Sequence, residues 1–224
     1  MCVSCGLAGV EARVDSELAR QLVDMAEAQF AAQVPLGALL ERDPAFASWI
    51  SGVGFPLTAS WPAGDPPAEL VRIWDLADEH DTRLKEIVDG LGWPGRKHVG
   101  EDGADAAWVI AQHADRHHEW RRTWLRLLRE AVTNRDADPR HFARLADRVA
   151  LVDDGLQLYG TWVQHTSTGQ VVFDPPALGD ATDVDARRRD IGLPPLDVDL
   201  AAAPGAAPYR YMRTMPAYGW PALP

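Results

Sequence analysis

Apolar residues recur at helical spacing along most of the first two thirds of the chain. From Asp15 to about Gln33, Leu18, Leu22, Met25 and Phe30 follow one another by three to five residues. This spacing predicts a helix, with Asp15 or Ser16 as its cap and Pro35 closing it. Residues 35–66 are dense in Pro and Gly and carry Trp49, Phe55 and Trp61. They predict an irregular arm with short helical turns around Leu36–Glu41 and Pro44–Trp49. A long helix follows from about Pro67 to Asp89, with Leu70, Ile73, Trp74, Ala77, Leu84, Ile87 and Val88 as its apolar stripe. Asp81 falls on that stripe, where a carboxylate must find a partner or keep its proton.

"GLGWPGRKHVG" (90–100) breaks this helix with four glycines and a proline. The next helix is expected from about Ala104 to Val132, with Val109, His113, His117, Trp120, Trp124, Leu127 and Ala131 along one face. His113 and His117 would then stand one turn apart, beside two tryptophans. Asp115 would point about 200° away from His113. Asp138-Pro139 pairs a cap with a first-turn proline. Phe142, Leu145, Val149 and Val152 continue that helix, and Gly155 ends it.

"LQLYGTWV" (156–163) alternates as a strand does, with Gln157, Tyr159 and Thr161 on one face. Ser167-Thr168-Gly169 can return it into Val171–Phe173 as a hairpin. A short helix is expected from Asp183 to Ile191, stopping at Gly192, and the tail beyond Pro194 reads as irregular. The fold class expected is mainly α: an irregular helical bundle with a small β-hairpin after the last long helix. Residues 1–66 form an N-terminal helix and arm packed on the core, 67–197 the core with its hairpin, and 198–224 a Pro/Ala-rich tail.

Composition narrows the function classes. The chain is 46% hydrophobic and 25% charged, as a globular domain is, and no stretch approaches the roughly 20 apolar residues that span a bilayer. The start lacks a basic region followed by an apolar one, so a cytoplasmic, soluble protein is the expectation. A formal charge of −11 and no basic tract beyond Arg187, Arg188 and Arg189 argue against nucleic-acid and anionic-membrane partners. Cys2 and Cys5 would make half of a zinc site, but no second pair follows them. The Trp-rich arm suits a lid or a homodimer contact.

The chemistry centres on "AQHADRHHEW" (111–120). Two imidazoles one turn apart can grip a metal, so His113 and His117 form the alternative ligand pair for a transition metal such as zinc or iron. The zinc-protease pattern fails because residue 114 is Ala. The leading expectation needs no cofactor: His113 transfers a proton, and Asp81 or Asp147 on another helix orients it. Gln157, Tyr159 and Thr161 would form a polar platform, and Arg148 or Arg188 would meet an anion. No G-x-S-x-G, G-x-G-x-x-G or P-loop pattern is present.

"GWPG" at 92–95, "QHAD" at 112–115, "DR" at 147–148, "QLYGT" at 157–161 and "RRRDIGLPPL" at 187–196 occur in this order. With a D-x-x-R-like element around Asp81, Thr82, Arg83 and Leu84, the set resembles an uncharacterised bacterial family classed as a domain of unknown function. The likeness spans about residues 67–197. That family usually has Gln after YGT, where this chain has Trp162. The resemblance implies a polar pocket, with His113, Asp147 and Tyr159 as catalytic residues. Gln112, Asp115, Asp81, Arg83, Trp93, Arg148, Gln157, Thr161 and Arg188 would bind the substrate. The function expected is acid–base chemistry (hydrolysis, cyclisation or elimination) on a small-molecule or peptide-like substrate. The alternatives are metal-dependent chemistry and a non-catalytic binding protein.

Overall fold

The computed structural model describes residues 14–46, 64–165, 171–173, 178 and 183–201. Cys2, Cys5, Trp49, Trp61, the turn at 167–169 and the tail beyond 201 lie outside these residues. The first helix, α1 (Ser16–Arg42), begins where Asp15 Oδ1 accepts from the backbone N–H of Glu17 (3.1 Å) and Leu18 (3.0 Å). It does not stop at Pro35. The proline costs about 3 kcal/mol in a helix interior. Beyond it, however, Leu36 and Leu39 are buried with Phe46 and Leu70 in a small second core. At roughly 1.5–3 kcal/mol for each large apolar side chain, that burial outweighs the lost bond.

Four long elements follow: α2 (Ala68–Leu91), α3 (Arg96–His113), α4 (His118–Thr133) and α5 (Pro139–Asp153). α3 is the central helix, packed against α1, α2, α4 and α5, while α4 lies along α5. Leu22, Phe30, Leu84, Trp108, Ile110, Trp124, Leu128 and Leu145 meet in the main core. Trp108 is fully buried and stacks on the His141 ring at 4.2 Å. Its indole N–H donates to the His141 carbonyl at 2.9 Å. Asp138 caps α5 through the Arg140 N–H (2.8 Å), with Pro139 in the first turn, as its sequence predicts.

"GWPG" is explained by a close approach. Trp93 lies in the main core, and a Cβ on Gly95 would sit 2.8 Å from the Asp136 carbonyl oxygen. Asp136 in turn starts α3, its carbonyl accepting from Arg96 N–H (2.8 Å) and its Oδ1 from Lys97 N–H (2.7 Å).

Two further expectations are corrected. The helix foreseen from 104 to 132 is broken: α3 ends at His113, Ala114 takes φ −72° and ψ 57°, and Asp115 N–H donates back to the His113 carbonyl at 2.7 Å. This is an inverse γ-turn, and α4 starts only at His118. The strand foreseen at 156–163 is also absent. Leu156–Trp162 is an irregular loop with Gly160 at φ 68°. Among the described residues antiparallel pairing is limited to three residues a side, β1 (Val163–His165) with β2 (Val171–Phe173), and the expected hairpin is not supported, its turn lying outside those residues. Two short helices, α6 (Val184–Asp190) and α7 (Leu196–Ala201), complete a mainly helical fold. Among the described residues no helix is long and apolar enough to cross a membrane.

Candidate functional site

The 156–162 loop is organised by one carboxylate. Asp147, fully buried on α5, accepts from the N–H of Leu158 (2.6 Å), Tyr159 (2.7 Å) and Thr161 (2.7 Å) and from Thr161 Oγ1 (2.7 Å). Gln157 closes the loop on itself, donating to the Trp162 carbonyl (3.0 Å) and accepting from the Trp162 N–H (2.9 Å). From the other side Arg187 Nε donates to the Leu158 carbonyl and Arg188 to the Tyr159 carbonyl, both at 2.8 Å. Arg188 also reaches the Pro194 carbonyl at 2.7 Å. Gly160 is needed here, because a Cβ would meet Leu196 at 3.1 Å and Leu178 at 3.2 Å.

Beside Asp147 on α5, Arg148 turns the other way. Its Nε and a terminal nitrogen reach Asp115 at 3.1 and 2.7 Å, while Arg121 of α4 reaches the same carboxylate at 2.6 Å. Arg121 and Arg148 are 0% and 1% exposed. Arg148 also lies over the Trp162 ring, 4.9 Å from its centre. The γ-turn at Ala114 therefore has a cause: it swings Asp115 back between two buried guanidinium groups.

A cavity of ≈ 40 Å³ opens between α1, α2 and this turn. Ala32, Leu36, Ile73, Leu76 and Ala77 supply apolar wall, and Gln29, Gln33, Trp74, Asp78, Asp81, His113, Asp115 and Arg116 the polar lining. Gln29 is 4% exposed and Asp81 1%. Both side-chain polar atoms of each, with Trp74 Nε1 and His113 Nδ1, have no hydrogen-bond partner among the described residues. Arg121 Nε and one terminal nitrogen, on the residue that holds Asp115, and Gln112 Oε1 at the end of α3 are left over in the same way. Native proteins pair nearly all buried polar groups, so orphans gathered on one cavity mark space for water or a ligand.

The titratable pair facing this space is driven in opposite directions. Burial pushes the Asp81 carboxyl up to about 8, with Asp115 and Asp78 adding to it and Arg121 opposing. Burial pushes the His113 imidazole down to about 4, reinforced by Arg148 and Arg121 and opposed by Asp115 and the Val109 backbone. At neutral pH Asp81 mostly holds its proton and His113 is uncharged. The edge of the His113 ring stands against Phe30, 6.0 Å between centres at 89°.

A pH dependence of stability follows. Between pH 6.5 and 8 folded Asp81 keeps a proton that the unfolded chain has released, so stability falls as pH rises through that window. His113, whose folded value is depressed, acts with the opposite sign and only below about pH 6.5. One proton at about 1.4 kcal/mol per pH unit, over about 1.5 units, gives a loss of about 2 kcal/mol. Urea unfolding at pH 6.5 and 8 measures it, and Asp81→Asn should flatten the difference. A wild-type chain equally stable at both values would show that Asp81 is already ionised.

Residues 32–204 match a protein family described as being of unknown function. The chain belongs to that family, DUF6624. No curated protein and no solved structure matches the DUF6624 chain. The matched span of DUF6624 starts within α1 and runs past α7, so it takes in the lock around Asp147 and every cavity-lining residue except Gln29.

In this DUF6624 chain the residues expected to form one site divide into two groups. Asp81, His113 and Asp115 line the cavity, with Arg148 behind Asp115, while Gln112 is buried one residue before His113 and does not line it. Asp147, Tyr159, Gln157, Thr161 and Arg188 belong to the loop lock and do not line it. Asp147 therefore does not orient His113, and no polar strand face exists at 157–161. Trp93 is a core residue. Arg83 sits between α1 and α2, bound to Gln21 Oε1 (3.0 Å) and Glu86 (2.8 Å).

The break at Ala114 also removes the one-turn spacing of His113 and His117. His117 instead stacks on Trp120 at 4.0 Å and faces Asp78 Oδ1 at 3.3 Å. Among the described residues no group of three or more His, Cys, Asp or Glu side chains is placed to hold a metal. Gln29, Trp74, Asp78 and Arg121 were not foreseen. For Gln29 and Arg121 the signal was the one that marked Asp81: a polar residue in phase with an apolar helical stripe, here with Leu22, Met25 and Ala26 and with Trp124 and Leu128.

Proposed function

We propose that this DUF6624 chain is an enzyme with a buried acid–base site, acting on a small polar or peptide-like substrate by hydrolysis, cyclisation or elimination. The supporting observation is that Asp81 and His113, whose proton affinities are shifted in opposite directions, face one cavity with both Asp81 oxygens and His113 Nδ1 unclaimed by the protein. Two titratable groups with values driven apart are the usual basis of paired acid and base roles. His113, neutral, takes a proton from the attacking or eliminated group. Asp81, protonated, gives one to the oxygen or nitrogen that gains charge. Asp115, fixed by Arg121 and Arg148, keeps a negative charge beside the imidazolium that forms.

The test is turnover of a panel of small esters, amides, lactams and dipeptides, followed by mass spectrometry. Asp81→Asn and His113→Gln should each lower the rate about 10²–10⁴-fold, with the circular dichroism spectrum unchanged. Compounds that bind and come back unaltered, or turnover that survives both substitutions, would overturn the reading.

A further inference from the structure

The orphaned atoms on the cavity wall also say what chemistry fits it; this inference rests on the cavity reading above. Charge comes first. Asp115 is paired with Arg121 and Arg148, and Asp78 with Arg116 at 2.8 Å. The Asp115 cluster carries one positive charge in excess, but neither guanidinium lines the cavity, and the charged side chains that do line it, Asp78, Asp115 and Arg116, are each paired, which favours an uncharged occupant.

Hydrogen-bonding pattern comes second. Gln29 presents a carboxamide whose donor and acceptor are both unused, and Asp81 a carboxyl whose two oxygens are both unused. A carboxamide and a protonated carboxylic acid each offer a donor and an acceptor side by side on one edge. An alcohol or ketone satisfies half of such an edge, and a carboxylate brings two acceptors and a charge. A group with its own N–H and C=O side by side satisfies all of it, closing a two-bond ring. Trp74 Nε1 adds one more free donor.

Size comes third. At ≈ 40 Å³ the space holds a few heavy atoms, with Ala32, Ile73 and Ala77 against their apolar side. We infer that the cavity binds the H–N–C=O edge of an uncharged amide, lactam or urea-type group, one of Gln29 and Asp81 closing the two-bond ring on that edge and the other meeting the carbonyl's second lone pair or a second N–H.

The test uses the full chain at pH 7 and acetamide as the probe, followed by NMR at the Trp74 indole and Gln29 side-chain N–H signals. Acetamide should give saturable shifts there. Acetone, N,N-dimethylacetamide and acetate, which each lack part of the edge or carry charge, should bind at least about tenfold more weakly. Gln29→Leu should weaken acetamide by a similar factor without lowering the melting temperature, since it removes a buried amide that the protein does not pair. Gln29→Met is the second variant should leucine crowd the site.

Asp81→Asn keeps a donor and an acceptor, so it should retain binding. The wild type should lose affinity above about pH 8, when the carboxyl, faced by Asp78, His113, Asp115, Arg116 and Arg121, gives up its donor proton. The variant should not. Acetone or acetate binding as well as acetamide, or acetamide binding indifferent to Gln29→Leu, overturns the inference. Acetamide bound with no panel compound turned over sinks the acid–base reading and leaves the amide site. Turnover of a substrate without an amide edge, with no acetamide bound, does the reverse.

Discussion

Asp115→Ala is expected to lower the unfolding free energy by about 3–5 kcal/mol, the usual cost of stranding buried charge. The carboxylate is the shared partner of Arg121 (2.6 Å) and Arg148 (2.7 Å to each oxygen), which are 0% and 1% exposed. Burial alone would push its proton affinity up, but the two guanidinium groups win and hold it below the ordinary carboxylate value. Its removal leaves two buried cations facing each other with no carboxylate between them.

Asp115→Asn keeps an acceptor and should cost less. Asp115→Ala combined with Arg148→Met should cost less than the sum of the single changes, because the double variant removes one of the stranded charges. Urea denaturation with all four chains measures both effects. A loss below about 1 kcal/mol for Asp115→Ala would show that water reaches the cluster and that it does not shape the turn.

Asp147→Ala is expected to cost about 3–4 kcal/mol, since each backbone donor left buried without a partner costs about 1–3 kcal/mol and some will find water as the loop loosens. The donors at stake are the N–H groups of Leu158, Tyr159 and Thr161, with the Thr161 hydroxyl. Hydrogen exchange gives the local readout: those three amides should lose protection while the core helices keep theirs. Arg187 and Arg188 still hold the loop carbonyls, so the loss should stay local. If Asp147→Asn abolished turnover without touching stability or exchange, a catalytic role for Asp147 and Tyr159 would return.

Much of the helical frame was legible because its signals are local. The caps at Asp15 and Asp138, the stripe of α2, the break at Gly92 and the stops at Gly155 and Gly192 each depend on residues within a turn or two. Asp81 was legible for the same reason, as a carboxylate in phase with apolar neighbours, and it is 1% exposed. His113 lines the cavity with Asp81, one of the two carboxylates expected to orient it, and with Asp115 and Gln29, whereas Asp147 does not line it and His117 is no longer one turn away on a continuous helix.

The motifs were legible as a set and not as a division of labour. "DR" reads as one unit, yet adjacent helical residues point about 100° apart. Asp147 therefore serves the 156–162 loop, and Arg148 serves the turn after α3. "QLYGT" alternates like a strand, but four donors converging on one buried carboxylate bend it into a loop.

What the sequence by itself determined is therefore the mainly helical architecture, the helix starts and stops set by capping, and the polar residues that had to be buried. What only the tertiary structure decided is where the chain departs from local preference. α1 continues through Pro35 because the apolar residues beyond it meet Leu70, and the helix foreseen from 104 to 132 breaks because Asp115 is drawn between Arg121 and Arg148. In both places a contact between segments distant along the chain outweighs a local cost of a few kcal/mol. No periodicity or spacing within one segment carries that information, and it is the second of these contacts that brings His113 and Asp115 to the cavity that Asp81 and Gln29 share.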